Sequence, residues 1–172
     1  MKGGGIMWWR FLTIAAALLF PLSVQAADIP KEGTDNFTNV WAITSSNTIQ
    51  QGTYSFDTYE INGVARNDAG GPMFNFFGLR CVGTSNGPGG SERSEHGTCT
   101  YTDKDGDNIF TPYTGKSGHG SARGTYEVAG GTGKFAGITG NGEWWNVSPA
   151  PIKSDDKRGR GVIANKVSWK LP

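Results

Sequence analysis

Gly130-Gly131-Thr132-Gly133-Lys134-Phe135-Ala136-Gly137-Ile138-Thr139-Gly140-Asn141-Gly142-Glu143-Trp144-Trp145 lies between two strand-like runs, and glycine fills six of its positions. Glycine suits positive φ and close backbone approach. The single Phe135 among these glycines reads as an anchor beneath a turn, and Thr139 to Val147 alternates as a strand entered directly from it. Two phosphate readings fail. A P-loop would need glycine where Val128 stands and Ser or Thr where Phe135 stands. A dinucleotide fingerprint must open a helix, and Gly137, Gly140 and Gly142 break one.

Working outward, Gly124 to Ala129 precedes the stretch as a strand. The chain end, Val162 to Leu171, alternates Ile163, Val167, Trp169 and Leu171 against Lys166, Ser168 and Lys170, as a barrel-closing strand does. Upstream, Phe37 to Thr44 and Asn47 to Ile61 read as strands, with a bend at Gly52. Asn62-Gly63 is a hairpin signal. Met73 to Gly83 is apolar on both faces, which predicts burial from both sides. Ser85 to Gly97 reads as a Gly/Ser/Glu-rich loop, with strands at Thr98 to Asp103 and Asn108 to Tyr113 beyond it. The expected fold class is all-β: a single antiparallel β-barrel of about eight strands, with no helix after the N-terminal segment.

That N-terminal segment has the three parts of a cleaved signal peptide. Lys2 and Arg10 precede the apolar run Phe11 to Phe20, and Val24-Gln25-Ala26 is a small-residue cleavage site. The run is too short to span a bilayer. The domain reading is a signal peptide at 1–26, a flexible lead-in at 27–36 and the barrel at 37–172, exported to the periplasm or the exterior. No transmembrane segment is expected in the mature chain. Removing Lys2 and Arg10 takes Lys+Arg from 16 to 14 against 15 acidic residues. A near-neutral chain of this kind argues against nucleic acid as a partner. The basic cluster Lys153, Lys157, Arg158 and Arg160 is interrupted by Asp155 and Asp156 and reads as a solvated loop.

Cys81 and Cys99 are an even pair in an exported chain, which predicts a disulfide. With two cysteines and two distant histidines there is no zinc motif. No metal and no cofactor is expected. Asp103, Asp105 and Asp107 resemble a calcium loop, but Gly106 and Thr114 fall where an EF-hand does not allow them; a hairpin turn capped by Asp is the expected use. His96 and His119 are loop histidines without a nucleophile signature beside them.

Gly130-Gly131-Thr132-Gly133-Lys134-Phe135-Ala136-Gly137 resembles the turn of dirigent proteins and allene oxide cyclases. Asp103-Lys104-Asp105-Gly106-Asp107 followed by Ile109-Phe110 resembles the matching hairpin of secreted bacterial barrels of that superfamily. The resemblance spans Cys99 to Trp145. It implies an eight-stranded barrel with a small apolar molecule in its mouth; it carries over no catalytic residue.

Arg80 interrupts an apolar strand, and buried Arg is rare unless paired. It is a candidate cation at the barrel mouth, a structural partner of Glu127 or Glu143, or a side chain that snorkels to solvent at a strand end. Phe76, Trp41, Trp144 and Glu143 complete the candidate ligand-binding set. Trp144 and Trp145 are neighbours on a strand and must point to opposite faces. The expected function is an exported barrel that binds a small, largely apolar molecule. The alternatives are a cyclase or isomerase using the pocket, and an interaction module whose barrel is filled by side chains.

Overall fold

The computed structural model describes residues 29–147 and 159–172. The signal-peptide reading and most of the basic cluster lie outside the described residues. The strands are β1 (Glu32–Gln51), β2 (Tyr54–Asn67), β3 (Phe77–Pro88), β4 (Arg93–Thr102), β5 (Asn108–Gly118), β6 (Ser121–Val128), the two-residue β7 (Gly130–Gly131), β8 (Thr139–Asn146) and β9 (Arg160–Lys170). Eight of them close a ring, β1-β2-β3-β4-β5-β6-β8-β9 and back to β1, with every pairing antiparallel. Closure leaves no long edge strand. No α-helix occurs among the described residues, and none of their helices is long and apolar enough to cross a membrane.

The opening stretch folds as its glycines suggest. Gly130 and Gly131 pair with β5, a single 3-10 turn spans Gly133–Phe135, and Phe135 is fully buried. Phe135 packs on Phe77 with ring centroids 5.7 Å apart, and Phe37 and Phe74 stack at 4.4 Å. The Tyr101 ring stands edge-on to both Phe37 and Phe74. Together with Met73, Ile109, Val128, Ile138 and Val167, these rings form an apolar plug that seals one end of the barrel. Packing of this density at one end leaves the other end to the alternating inward side chains of the strands.

Several local expectations are corrected. Glu32 to Asn36 are not a lead-in but the first residues of β1, paired with β9. Phe37 to Ile61 is not two strands with a bend: β1 runs 20 residues to Gln51, and the chain reverses at Gly52, whose φ is +59°. Asn62-Gly63 is no hairpin; it lies inside β2, where a side chain on Gly63 would sit 2.3 Å from the Val40 carbonyl oxygen. Glycine here serves close strand approach, not a turn. Met73 to Phe76 is not strand, because Phe74 and Phe76 have φ of 54° and 57° and turn the chain. From Phe77 on, β3 alternates: Phe77, Leu79 and Cys81 face inward, while Gly78, Arg80 and Val82 face out. Apolar Val82 on the outer face hid that alternation. Ser85 to Gly97 is mostly strand, with only the short turn between Pro88 and Arg93 outside β3 and β4.

Candidate functional site

Above the plug the barrel encloses a cavity of about 610 Å³ that reaches the rim formed by the β1–β2, β3–β4 and β5–β6 turns. Its walls follow from the two-residue period of strands. A register shift between Ile43 and Ser45 changes which β1 residues point inward, so Trp41 and Ile43 line the cavity below it and Ser46 and Thr48 above. Deep in the cavity the wall is Ile61, Leu79, Ile163 and the disulfide. The bond joins Cys81 to Cys99, directly opposed across β3 and β4 with Cα atoms 4.0 Å apart.

Space inside comes from inward glycines set beside inward rings. Across four adjacent strands one row reads Tyr59, Gly83, Gly97, Tyr113. The glycines vacate the wall and the tyrosines reach over them from either side until their hydroxyls meet at 2.7 Å. A second row, Gly115, Gly124, Trp144, lays the Trp144 indole over two glycines in the same way. Tyr113 and Trp144 then pack edge to face at 6.1 Å. Alternating small and large interior residues is how a small barrel fits its taper.

The polar groups gather near the rim on the β2–β5 side. Glu95 is 8% exposed. Tyr59 donates to its Oε2 at 2.7 Å and Ser117 donates to its Oε1. Burial above all, then neighbouring Tyr113 and Glu95, pushes the Tyr59 phenol far above its ordinary range. Burial also pushes Tyr113 up, to about 12. Both phenols therefore stay protonated at neutral pH and act as donors, with Tyr113 feeding Tyr59 and Tyr59 feeding Glu95. Beside them Arg93 donates to Asp57 and, at 2.9 Å, to the Ser85 carbonyl. Burial works against ionised Asp57, but hydrogen bonds from Thr48 and Arg93 outweigh it and hold the carboxyl below its ordinary value. Lower down, Asn39 donates to Tyr101 at 3.0 Å. Asn39 Oδ1, Trp41 Nε1, Arg93 Nε and Trp144 Nε1 are buried without a hydrogen-bond partner among the described residues, which marks places where a polar group in the cavity would gain most.

Of the residues singled out from sequence, Trp41 and Trp144 line the cavity. Arg80 does not: it stands on the outer wall, 2.9 Å from Glu60, which is neither of the partners expected for it. Phe76 is 69% exposed on the turn before β3, and Glu143 is exposed on the outer face of β8. Inward positions alternate, and these three fall on the wrong parity or in the turn. Trp145 is exposed opposite Trp144. Asp57, Tyr59, Arg93, Glu95 and Tyr113 were missed. Counting back by twos from Cys99 reaches Gly97, Glu95 and Arg93, so the disulfide pairing contained the signal. His96 and His119 are exposed, away from this cluster.

The aspartate hairpin is a turn. Asp103 Oδ1 accepts from the backbone N–H groups of Asp105 and Asp107, and the Lys134 ammonium pairs with Asp103 and Asp105. No group of three or more His, Cys, Asp or Glu side chains placed to hold a metal occurs among the described residues.

No family model matches the chain, and no curated protein matches it. Among solved structures, the pterocarpan synthase dirigent protein GePTS1 is similar over 91% of this chain and 100% of its own, with a TM-score of 0.50 and 12% sequence identity. At that identity the likeness is one of fold alone: this chain closes an eight-stranded antiparallel β-barrel similar to that of a dirigent protein.

Proposed function

We propose that this chain is an exported barrel that holds one small, largely apolar molecule. The observation that carries the reading is the 610 Å³ cavity, closed by a phenylalanine plug and walled by Trp41, Trp144, Tyr59 and Tyr113. Its volume falls in the range of small-molecule sites, as does its pattern of apolar wall with a few convergent polar groups. Eight strands are enough to hold one such ligand. Export is supported by the disulfide, a bond that persists in oxidising compartments. The test is native mass spectrometry of the protein from its own source, followed by solvent extraction. A stoichiometric released molecule is the expected result. An apo mass that no apolar or aromatic compound shifts overturns the reading in favour of a contact module.

A second reading is favoured by Glu95. A buried carboxylate at hydrogen-bond distance from a tyrosine, in the wall of an apolar cavity, suits general acid–base chemistry of a cyclase or isomerase. GePTS1, a barrel of similar fold, is described as a synthase, so the architecture admits turnover. Incubating the released molecule with the protein and with Glu95→Gln decides: conversion lost in the variant supports an enzyme, and no conversion by either supports a binder.

A further inference from the structure

We propose that the cavity is built for an organic ammonium, a molecule with an apolar or aromatic body and a cationic nitrogen that seats against Glu95. The inference rests on the ligand-holding reading and adds the sign of the ligand's charge. Three charged side chains line the cavity among the described residues: Asp57, Arg93 and Glu95. Arg93 is engaged by Asp57. Glu95 is left with two hydrogen bonds, both from neutral hydroxyls, and with no cationic partner among the described residues. Hydroxyl donors hold an anion in place but do not neutralise it, and a desolvated carboxylate without a counter-ion is costly. A ligand ammonium supplies that counter-ion.

The walls suit the same group. The rings of Trp41, Tyr59, Tyr113 and Trp144 line one cavity together with Glu95, and aromatic faces attract ammonium ions, most strongly where water is excluded. A ligand carboxylate, by contrast, would meet the negative charge of Glu95, with the Arg93 charge already paired to Asp57 and only its Nε–H free to donate. A neutral alcohol gains a hydrogen bond but no charge pairing. Aromatic rings around one carboxylate without a cationic partner among the described residues therefore select for positive charge on an otherwise apolar body.

The test uses two probes of the same shape, phenyltrimethylammonium and its neutral carbon isostere tert-butylbenzene, titrated into the disulfide-bonded protein with tryptophan fluorescence and calorimetry as readouts. The cation is expected to bind about tenfold more tightly or better. Glu95→Gln, checked for folding by its thermal transition, is expected to shrink the difference to the smaller preference that the aromatic rings alone supply. Equal affinities in the unaltered protein overturn the inference without recourse to the variant, as does a preference that is undiminished in folded Glu95→Gln. Uptake of tert-butylbenzene without preference for the cation sinks this inference alone. Uptake of neither probe, nor of any compound in an apolar panel, sinks the ligand-holding reading with it.

Discussion

The hydroxyls of Tyr59 and Tyr113 meet 2.7 Å apart although two strands separate the residues that carry them. They can do so because Gly83 and Gly97, the positions between them in the row, have no side chains. A Cβ on Gly83 would lie 2.2 Å from the Tyr113 hydroxyl and 2.8 Å from the Tyr59 ring. Gly83→Ala is therefore expected to cost about 1–3 kcal/mol, the usual penalty for overpacking. Adding Tyr113→Phe, which removes the nearest clashing atom, should return part of that loss in a denaturation double-mutant cycle. Additive losses would show that the two positions do not touch.

Burial raises four phenols, those of Tyr59, Tyr101, Tyr113 and Tyr126, above the ordinary value of 10.0. A group whose folded pKa is raised favours the folded state at low pH, and this contribution is lost as pH rises above its unfolded value. Alkaline titration followed at 295 nm should show few phenolates in the native protein at about pH 11, with the remainder appearing on unfolding. Stability should fall as pH rises beyond 10. Full ionisation of the native protein at that pH would contradict the interior placement of these rings.

At the plugged end the sign is reversed. Hydrogen bonds from Lys104 and Lys134 hold the Asp105 carboxyl down to about 2 from an ordinary 3.8, and Asp103 is lowered as well: burial works against its ionised form, but Lys134 and the backbone N–H groups of Asp107 and Asp105 together outweigh it. Depressed carboxylates contribute stability above their unfolded pKa and lose it as pH falls through the folded one. The protein should therefore lose stability as pH falls from about 4 to about 2, and Lys134→Met should flatten that slope while lowering stability at neutral pH. An unchanged slope in chemical denaturation at the two pH values would remove Lys134 from the account.

Arg80 and Arg93 should behave oppositely. The Arg80 side chain is 66% exposed, so Arg80→Ala is expected to change stability by less than about 1 kcal/mol and to leave ligand affinity unchanged. Arg93→Ala takes the charged donor from a partly buried Asp57, leaving it the Thr48 hydroxyl, and removes a donor from the Ser85 carbonyl, so it should cost about 1–3 kcal/mol. Thermal denaturation of both variants and titration of an apolar probe check the pair. A larger loss from Arg80→Ala would reverse this assignment.

The disulfide closes a separation of 18 residues, which the chain-entropy model equates with about 3 kcal/mol of stability. Reduction, or Cys81→Ala with Cys99→Ala, should lower the denaturation midpoint accordingly. It should also reduce affinity for cavity ligands, because both sulfur atoms belong to residues of the inner wall. A reduced protein with an unchanged midpoint would place its stability elsewhere.

The barrel was legible in the sequence because its punctuation was. Phe135 among glycines, the Cys81–Cys99 pair and the alternation of Val162 to Leu171 each announce one local structure. The errors share a cause. Interior glycines and serines look like loop residues, so Ser85 to Gly97 reads as a loop and Glu95 is lost with it. Outer-wall Val82 looks like core, so Arg80 reads as buried. Small residues facing a cavity do not carry the apolar signature that marks an inward face, and a ligand site hides most completely where the wall is made thin to leave room.

The pairing of β1 with β9 has a bearing on how the molecule is made. Glu32 opposes Lys170, and until that last strand emerges the preceding ones form an open sheet with two unsatisfied margins. Local hairpins can zip early, but ring closure joins segments far apart in the chain, and such contacts form slowly. Strand edges left open in this way are free to pair with other chains until β9 docks on β1.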